Sequence, residues 1–255
     1  MNLRTLKIKA RMQLMLVLTL ASFFIIICFL LVEFKGVLLN QKYETTKNEV
    51  DTAYSLINGY YKKFQSGDMS EQDAKSRAMD VIKSLRYHGN NYFWINDYTP
   101  TMVMHPIKPS LDGKELSGFK DPEGTHLFIE MVNVVKKSGE GFVPYLWPKP
   151  GHDDPVPKIS FVKGFEQWQW IVGTGLYLDD INSEFNAIAI KEAIIGTVLF
   201  IGIAGLTIVV QRTIIRPLNE TVEAMADIAK GDGDLTKRLN ETGSDELSQL
   251  AMYFN

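Results

Sequence analysis

The sequence of 255 residues contains only one cysteine and four histidines. The single cysteine, Cys28, excludes an intrachain disulfide, so a folded domain must be held together by its core alone. The histidines form no H-E-x-x-H zinc motif, and Gly139-Glu-Gly141 lacks the third glycine of a dinucleotide fingerprint. His152-Asp-Asp lies in a proline-rich stretch that is typical of solvated turns. We therefore expect no metal, no cofactor and no enzymatic activity, and the net charge of -3 gives no reason to expect nucleic-acid binding.

Charge is missing from two long stretches, residues 12–32 and 193–210. Their 21 and 18 residues are close to the roughly 20 that cross about 30 Å of hydrocarbon. A cleavable signal peptide is the alternative for the first stretch, but its apolar core is too long and residues 29–36 offer no small-x-small cleavage site. We interpret both stretches as transmembrane helices.

Basic residues flank the ends of these spans that lie nearest the chain termini. They are Arg4, Lys7, Lys9 and Arg11 before the first span, and Arg212 and Arg216 after the second. The positive-inside rule then predicts that both termini are cytoplasmic. The roughly 160 residues between the spans are expected in the periplasm, if the cell is Gram-negative. The expected segments of this inner-membrane protein are a cytoplasmic N-terminus (1–11), a first transmembrane helix (12–32), an extracytoplasmic domain (33–190), a second transmembrane helix (191–211) and a cytoplasmic C-terminal segment (212–255).

Between the spans, the apolar pattern changes from a helical to a strand period. Three- and four-residue spacing over residues 50–64 predicts a long helix, and Ser70 with Asp73 predicts the start of a second helix that runs to about Arg86. Strands are predicted at 92–95, 102–105, 142–147, 158–165 and 168–177, with a helix over 128–137 and the prolines of 141–170 in the connection or at strand edges. This order predicts an α+β domain on one antiparallel sheet.

Two short heptad patterns follow the second span. Leu218, Val222, Met225 and Ala229 form one, and Leu247, Leu250 and Phe254 form the other, with Gly231-Asp-Gly-Asp-Leu between them. Two such helices cannot bury these apolar seams alone. We therefore predict a homodimer in which they form a four-helix bundle.

The order of motifs between residues 34 and 190 resembles the single Cache sensor domain of bacterial transmembrane receptors. These motifs are Tyr92-Phe-Trp-Ile-Asn-Asp, Met104-His-Pro, Leu111-Asp-Gly-Lys, Tyr145-Leu-Trp-Pro-Lys-Pro-Gly, Pro157-Lys-Ile-Ser-Phe-Val and Trp170-Ile-Val-Gly-Thr-Gly-Leu-Tyr-Leu-Asp-Asp-Ile. The resemblance implies a PAS-like α+β fold with a long N-terminal helix.

Residues 212–255 resemble a HAMP linker. Pro217 opens the first helix, Asp234-Leu-Thr-Lys-Arg-Leu lies in the connector, and Asp245 and Glu246 open the second helix. HAMP domains more often have glycine where this chain has Ser248, which affects the local packing. Since residue 255 falls inside the second helix of that pattern, we expect an incomplete linker with no output domain.

Together these resemblances imply a methyl-accepting chemotaxis receptor. Its implied partners are a small organic ligand, the membrane, a second copy of the chain, and a chemotaxis adaptor and kinase reached through the missing output domain. A histidine kinase or a cyclic-dinucleotide cyclase with the same front half stays open. A membrane-anchored structural protein and an ectoenzyme are weaker alternatives.

Cache domains hold a small ligand, often an organic acid, against the sheet, so the site needs a cationic donor between aromatic walls. Strand alternation places Tyr145 and Trp147 on one face, with Lys158 on the neighbouring strand. The candidate ligand-binding residues are Arg86, Tyr92, Trp94, His105, Tyr145, Trp147, Lys158 and Tyr177. The plainer alternatives are that Lys158 faces solvent, that Arg86 is a charge at a helix C-terminus and that His105 is structural. For the aromatic residues the alternative is packing in the core.

The same resemblance implies a route for the signal. Ligand binding would shift the strand that ends at Tyr177 and act through Asp179 and Asp180, which are expected to cap the helix into the second span. The HAMP helices that open at Pro217 and at Asp245 would then repack.

Overall fold

The computed structural model describes residues 7–230, 238–240 and 242–255. They fall into two compact units, Glu33–Ala187 and a second unit that combines Met1–Val32 with Ile188–Asn255. The long helix α1 (Ile8–Gln65) contributes residues to both units. The predicted first span and the predicted long outer helix are therefore one continuous helix of 58 residues.

The outer unit, Glu33–Ala187, contains a five-stranded sheet with strand order β2-β1-β5-β4-β3 and antiparallel pairing throughout. The strands are β1 (Trp94–Asp97), β2 (Met102–Met104), β3 (Glu140–Pro148), β4 (Pro155–Phe165) and β5 (Trp170–Tyr177). Helix α2 (Glu71–Ser84) precedes the sheet, and helix α3 (Leu127–Ser138) lies between β2 and β3. This is the predicted order of two helices, two strands, one helix and three strands, and the α+β prediction is confirmed.

Local signals account for the helix ends. The side chain of Ser70 accepts a hydrogen bond from the backbone N–H of Asp73 at 3.1 Å, as the capping pair predicts. Helix α3 ends at Gly139, whose φ of 78° places it in the left-handed region that glycine adopts without strain.

Prolines enter the sheet more deeply than predicted. Pro144 and Pro148 lie in β3, which is an edge strand, and Pro155 and Pro157 lie in β4. The pairing of β4 with β5 begins only at Lys158, so the missing N–H groups of Pro155 and Pro157 interrupt no bond to β5. The β3–β4 hairpin thus extends beyond the rest of the sheet.

The two faces of the sheet pack against different layers. On one face, Val50, Ala53 and Ile57 of α1 and Ile82 of α2 join the core of the sheet. On the other face, Phe128, Met131 and Val135 of α3 pack against the sheet together with Leu116 of the segment 105–126. The two faces of the sheet therefore offer a ligand two different environments, one beside α1 and α2 and one beside α3 and the segment 105–126.

The helical segments that follow the sheet begin in the outer unit and continue from Ile188 in the second. Helix α4 (Leu178–Val210) passes through a π-helical turn at Gln211–Ile215 into α5 (Arg216–Lys230), and α6 (Glu246–Phe254) follows. Two of the helices, α1 and the one that begins at Leu178, are long and apolar enough to cross a membrane.

The structure refines the predicted linker positions. Asp179 and Asp180 lie in the first turn of α4, not at its cap, because the helix already begins at Leu178. Pro217 is the second residue of α5, and Asp245 caps α6 by accepting the backbone N–H of Ser248 at 2.8 Å, with Glu246 as the first helical residue. The connector residues 231–237, including Asp234, lie outside the described residues.

Candidate ligand-binding site

Three neighbouring strands bring the candidate residues onto one face of the sheet. Tyr145 of β3 pairs with Lys158 of β4, and Lys158 pairs with Tyr177 of β5. Paired residues on adjacent strands point to the same face, so the three side chains are immediate neighbours. They lie on the face covered by α3 and the segment 105–126, opposite the long helix.

Lys158 is the most unusual member of this group, since only 2% of it is exposed. Its Nζ donates to the Oη atoms of Tyr92 at 3.2 Å and Tyr177 at 3.4 Å. The same Nζ lies 4.6 Å from the ring centroid of Tyr92, 5.5 Å from that of Trp94 and 4.8 Å from that of Tyr177. Within the described ranges no carboxylate pairs with this amine, and burial lowers the pKa of Lys158 to about 7.

The tyrosine hydroxyls around Lys158 are neutral donors and acceptors. Burial raises the pKa of Tyr92 to about 12 and the pKa values of Tyr145 and Tyr177 further above their ordinary value. Tyr177 donates its proton to the carbonyl oxygen of Pro148 at 3.0 Å, and the Tyr145 hydroxyl lies 2.8 Å from Ser160 Oγ. No phenolate is therefore present to neutralise Lys158 at pH 7.

His105 is buried beside the same aromatic rings. Its Nδ1 accepts hydrogen bonds from the backbone N–H groups of Ile107 at 3.3 Å and Lys108 at 3.0 Å, which leaves the proton of a neutral ring on Nε2. Burial first, and then the charges of Lys158 and Lys108, lower the pKa of His105 to about 3. His105 is therefore a neutral hydrogen-bond donor.

Glycines on β5 make room for these side chains. A Cβ atom on Gly175 would lie 2.9 Å from Lys158 Cε and 2.8 Å from the carbonyl oxygen of Ile159, and closer still to Ser160 Oγ. A Cβ atom on Gly173 would lie 2.6 Å from the Trp94 ring. The indole N–H of Trp94 donates to Asn96 Oδ1 at 3.1 Å, so it is already satisfied, and the face of the ring is what Trp94 presents to Lys158.

Arg86 is not part of this group. It is exposed, and its guanidinium donates to the carbonyl oxygens of Lys83 at 2.8 Å and Leu85 at 2.7 Å. These bonds satisfy carbonyl groups at the end of α2, as expected of a helix C-terminal arginine.

The space among the aromatic side chains of this group is nearly closed. A cavity of about 10 Å³, roughly the room that one water needs, is lined by Tyr92, Trp94, His105, Leu127, Phe128, Tyr145 and Trp147. A larger cleft of about 380 Å³ in the same unit lies between α1, residues 87–91 and the start of α4. Lys42 in that cleft already pairs with Glu184 at 2.7 Å, so the Lys158 group is the better candidate for an anionic ligand.

One residue that no sequence pattern singled out fastens the segment that covers this site. Asp121 lies in the segment 105–126, and its carboxylate accepts backbone N–H groups of Leu146 at 2.9 Å, Thr125 at 2.8 Å and Glu123 at 3.0 Å. Burial raises the pKa of Asp121, but these three hydrogen bonds outweigh it and hold the pKa below its usual value. Asp121 thus ties the covering segment to the outer edge of β3.

Comparison with known proteins identifies two domain families. Residues 31–196 match the Cache domain, and residues 209–255 match the HAMP domain. A methyl-accepting chemotaxis protein of Pseudomonas putida, McpP, is 39% identical over 254 residues, which is 100% of this chain and 47% of the relative. The chemotaxis protein CtpM of Pseudomonas aeruginosa is 30% identical over 232 residues, which cover 86% of this chain and 40% of that protein. The chain therefore spans less than half of the length of these relatives.

A solved structure described as the basis for carboxylic acid recognition by a Cache chemosensory domain is also similar. It is 45% identical, with a TM-score of 0.54 over 56% of this chain and 97% of that chain. Because the Cache match includes most of the 255 residues, this chain belongs to the Cache domain family and carries a HAMP domain behind its second apolar helix.

Proposed function

We propose that this chain is the sensing and linker part of a chemotaxis receptor, and that its outer domain binds a small carboxylate at Lys158. The observation that carries the proposal is a fully buried amine with neutral neighbours and no carboxylate partner among the described residues. A buried lysine without a counterion is costly, and a ligand carboxylate would supply the missing charge.

The surrounding groups suit the rest of such a ligand. Lys158 would donate a charge-assisted hydrogen bond to one carboxylate oxygen, and the Tyr92 hydroxyl or His105 Nε2–H would donate to the other. Trp94 and Trp147 would exclude water and so strengthen these bonds. A neutral His105 adds a donor without repelling the protonated Lys158, which a charged imidazolium would do.

The cavity as it stands is too small for any acid. A space of about 10 Å³ cannot hold even a short acid, so a side chain or the segment 105–126 must move before the ligand binds. At a best case of ~1.5 kcal/mol per heavy atom, a six-atom acid gains about 9 kcal/mol, which corresponds to roughly micromolar affinity.

The site is connected to the helix that follows the sheet. The Tyr177 hydroxyl joins Lys158 to the carbonyl oxygen of Pro148, and the next residue, Lys149, forms ion pairs with Asp179 at 2.7 Å and Asp180 at 2.5 Å. Asp179 and Asp180 belong to the first turn of α4. A ligand that moves Lys158 or Tyr177 would therefore act on the start of α4.

For the whole receptor we propose an inner-membrane topology with spans at 12–32 and 191–211, a periplasmic sensor and cytoplasmic ends. The flanking basic residues support this orientation. The exposed Val222 and Met225 of α5 support a homodimer that buries this seam, and an adaptor and kinase would receive the signal through further domains. A histidine kinase or cyclase output would use the same sensor.

The binding proposal is tested with the outer domain, residues 33–187, which has its own cores. Its melting temperature is measured against a panel of small acids, amino acids and amines, with Lys158→Met and Lys163→Met as variants. Lys163 lies on the same strand but pairs with Asp51 and Glu140, so it is a matched control. Stabilisation by an acid that survives in the Lys163 variant and is lost in the Lys158 variant is expected. No response to any acid would favour a structural anchor.

The signalling proposal is tested in the whole chain. Cysteine pairs along α4 report whether the two copies of the second span move when the acid is added. Lys149→Gln is expected to keep acid binding and to lose the change in cross-linking, because it removes both ion pairs to α4. Identical cross-links with and without saturating acid in the unmodified chain would contradict this route.

A further inference from the structure

A second candidate binding site lies in the other unit, away from Lys158. A groove of about 360 Å³ is lined by Lys9 near the start of α1, by Gln211 and Arg212 of the π-helical turn, and by Arg216, Glu220 and Glu223 of α5. Arg216 pairs with Glu220 at 3.0 Å. Within residues 7–230, neither Lys9 nor Arg212 has an ion-pair partner. The groove therefore holds two cations without an ion-pair partner among these residues.

The position of these cations matches the depth of lipid phosphates. Lys9 comes three residues before the first apolar stretch begins at Met12, and Arg212 comes two residues after the second ends at Val210. A lysine or arginine at the end of a membrane span reaches the level of the headgroups. Phosphate groups are the anions that the membrane supplies at that level.

The charges along the groove favour a headgroup over a soluble anion. Beyond the second apolar stretch, Arg212 is the first charged residue of the groove. The carboxylates of Glu220 and Glu223 follow two to three helical turns farther from the membrane. A soluble anion that enters from the water meets the carboxylates, whereas a lipid phosphate approaches Lys9 and Arg212 from within the bilayer plane. Basic pockets between transmembrane helices are known to bind anionic headgroups in this way.

We propose that Lys9 and Arg212 bind the phosphate of an anionic phospholipid between the start of α1 and the π-helical turn. The π-helical turn supports this proposal, since such turns are frequent at functional sites. The bound lipid joins the start of α1 to the point where α4 passes into α5. The proposal rests on the membrane topology given above and is independent of acid binding.

The test uses the full chain in nanodiscs of phosphatidylcholine with a minority of phosphatidylglycerol, followed by native mass spectrometry of the lipids that stay bound. The unmodified chain is expected to retain phosphatidylglycerol preferentially. Lys9→Gln combined with Arg212→Gln should lower that preference by about 30-fold, from roughly one kcal/mol per basic residue. Lys9→Arg with Arg212→Lys keeps both charges and should retain it.

The control removes the same charge outside the groove, as Lys7→Gln with Lys191→Gln, and is expected to change the preference much less than the groove variant, because neither lysine lines the groove. An equal loss in the control, or equal retention of both lipids by the unmodified chain, would overturn the proposal. Release of phosphatidylglycerol by millimolar inorganic phosphate would show a site for soluble anions instead. Acid binding by the same samples is scored separately, so a receptor that binds no acid leaves this result intact.

Discussion

Replacing Lys158 by methionine should stabilise the outer domain in the absence of ligand. Burial lowers the pKa of Lys158 from 10.5 to about 7, and this shift corresponds to about 5 kcal/mol of destabilisation when the amine is charged. Methionine fills most of the same volume without the charge. It loses the hydrogen bonds to Tyr92 and Tyr177, which are worth about 1 kcal/mol each. We therefore expect a net gain of about 3 kcal/mol where the amine is fully charged, and slightly less at pH 7, where half of it is protonated.

The gain should depend on pH in a defined direction. Between pH 7 and 10.5 the unfolded chain holds a proton on Lys158 that the folded chain does not hold, so the stability of the unmodified domain rises with pH in this window. The advantage of the methionine variant is largest at pH 7 and below and shrinks as the pH rises. Urea unfolding followed by tryptophan fluorescence at pH 6, 7.5 and 9 measures both effects.

Lys163→Met provides the contrast on the same strand. Lys163 pairs with Asp51 at 2.6 Å and Glu140 at 2.7 Å, so its removal should destabilise the domain by about 1 kcal/mol. If Lys158→Met is less stable than the unmodified domain at every pH in acid-free buffer, Lys158 is a satisfied structural lysine. Lys158 would then need no anion as its partner.

Two further substitutions test the walls of the site. Gly175→Ala should destabilise the domain by about 1–3 kcal/mol and displace Lys158, because the new Cβ atom collides with Lys158 Cε and Ser160 Oγ. The control is Gly59→Ala in α1, where nothing lies within 4 Å of the new Cβ atom. This variant should be neutral or stabilising in the same urea assay. Asp121→Asn should lower the free energy of unfolding by about 1–3 kcal/mol and speed hydrogen exchange in segment 105–126, because an amide cannot accept all three backbone N–H groups. Unchanged protection from exchange would show that Asp121 does not hold this segment in place.

Much of the fold follows from local patterns in the sequence. The Ser70 cap and the helix and strand order depend on patterns over a few neighbouring residues, and the structure confirms both. The boundaries were less accurate at the prolines of β3 and β4. A proline in a strand is tolerated where a neighbouring strand ends, and that depends on the register of β5, which no local pattern contains.

The site itself was only partly predictable. Five aromatic candidates and Lys158 lie on one face, but the contact between Lys158 and Tyr177 depends on the register of β4 and β5. Arg86 lies elsewhere, because its guanidinium satisfies carbonyl groups at the end of its own helix. The neutrality of His105 and the bond from Leu146 to Asp121 depend on burial and on contacts across the fold. Sequence spacing carries no information about either.

The central claim is that a carboxylate binds Lys158 in its protonated form, and the proton taken up on binding measures this directly. An acid found by the melting screen is titrated calorimetrically into the outer domain in two buffers of different ionisation enthalpy. With the pKa of Lys158 at about 7, uptake of about 0.9 proton per acid is expected at pH 8 and about 0.1 at pH 6. Binding with no proton uptake at pH 8, or uptake that persists in Lys158→Met, would contradict the account.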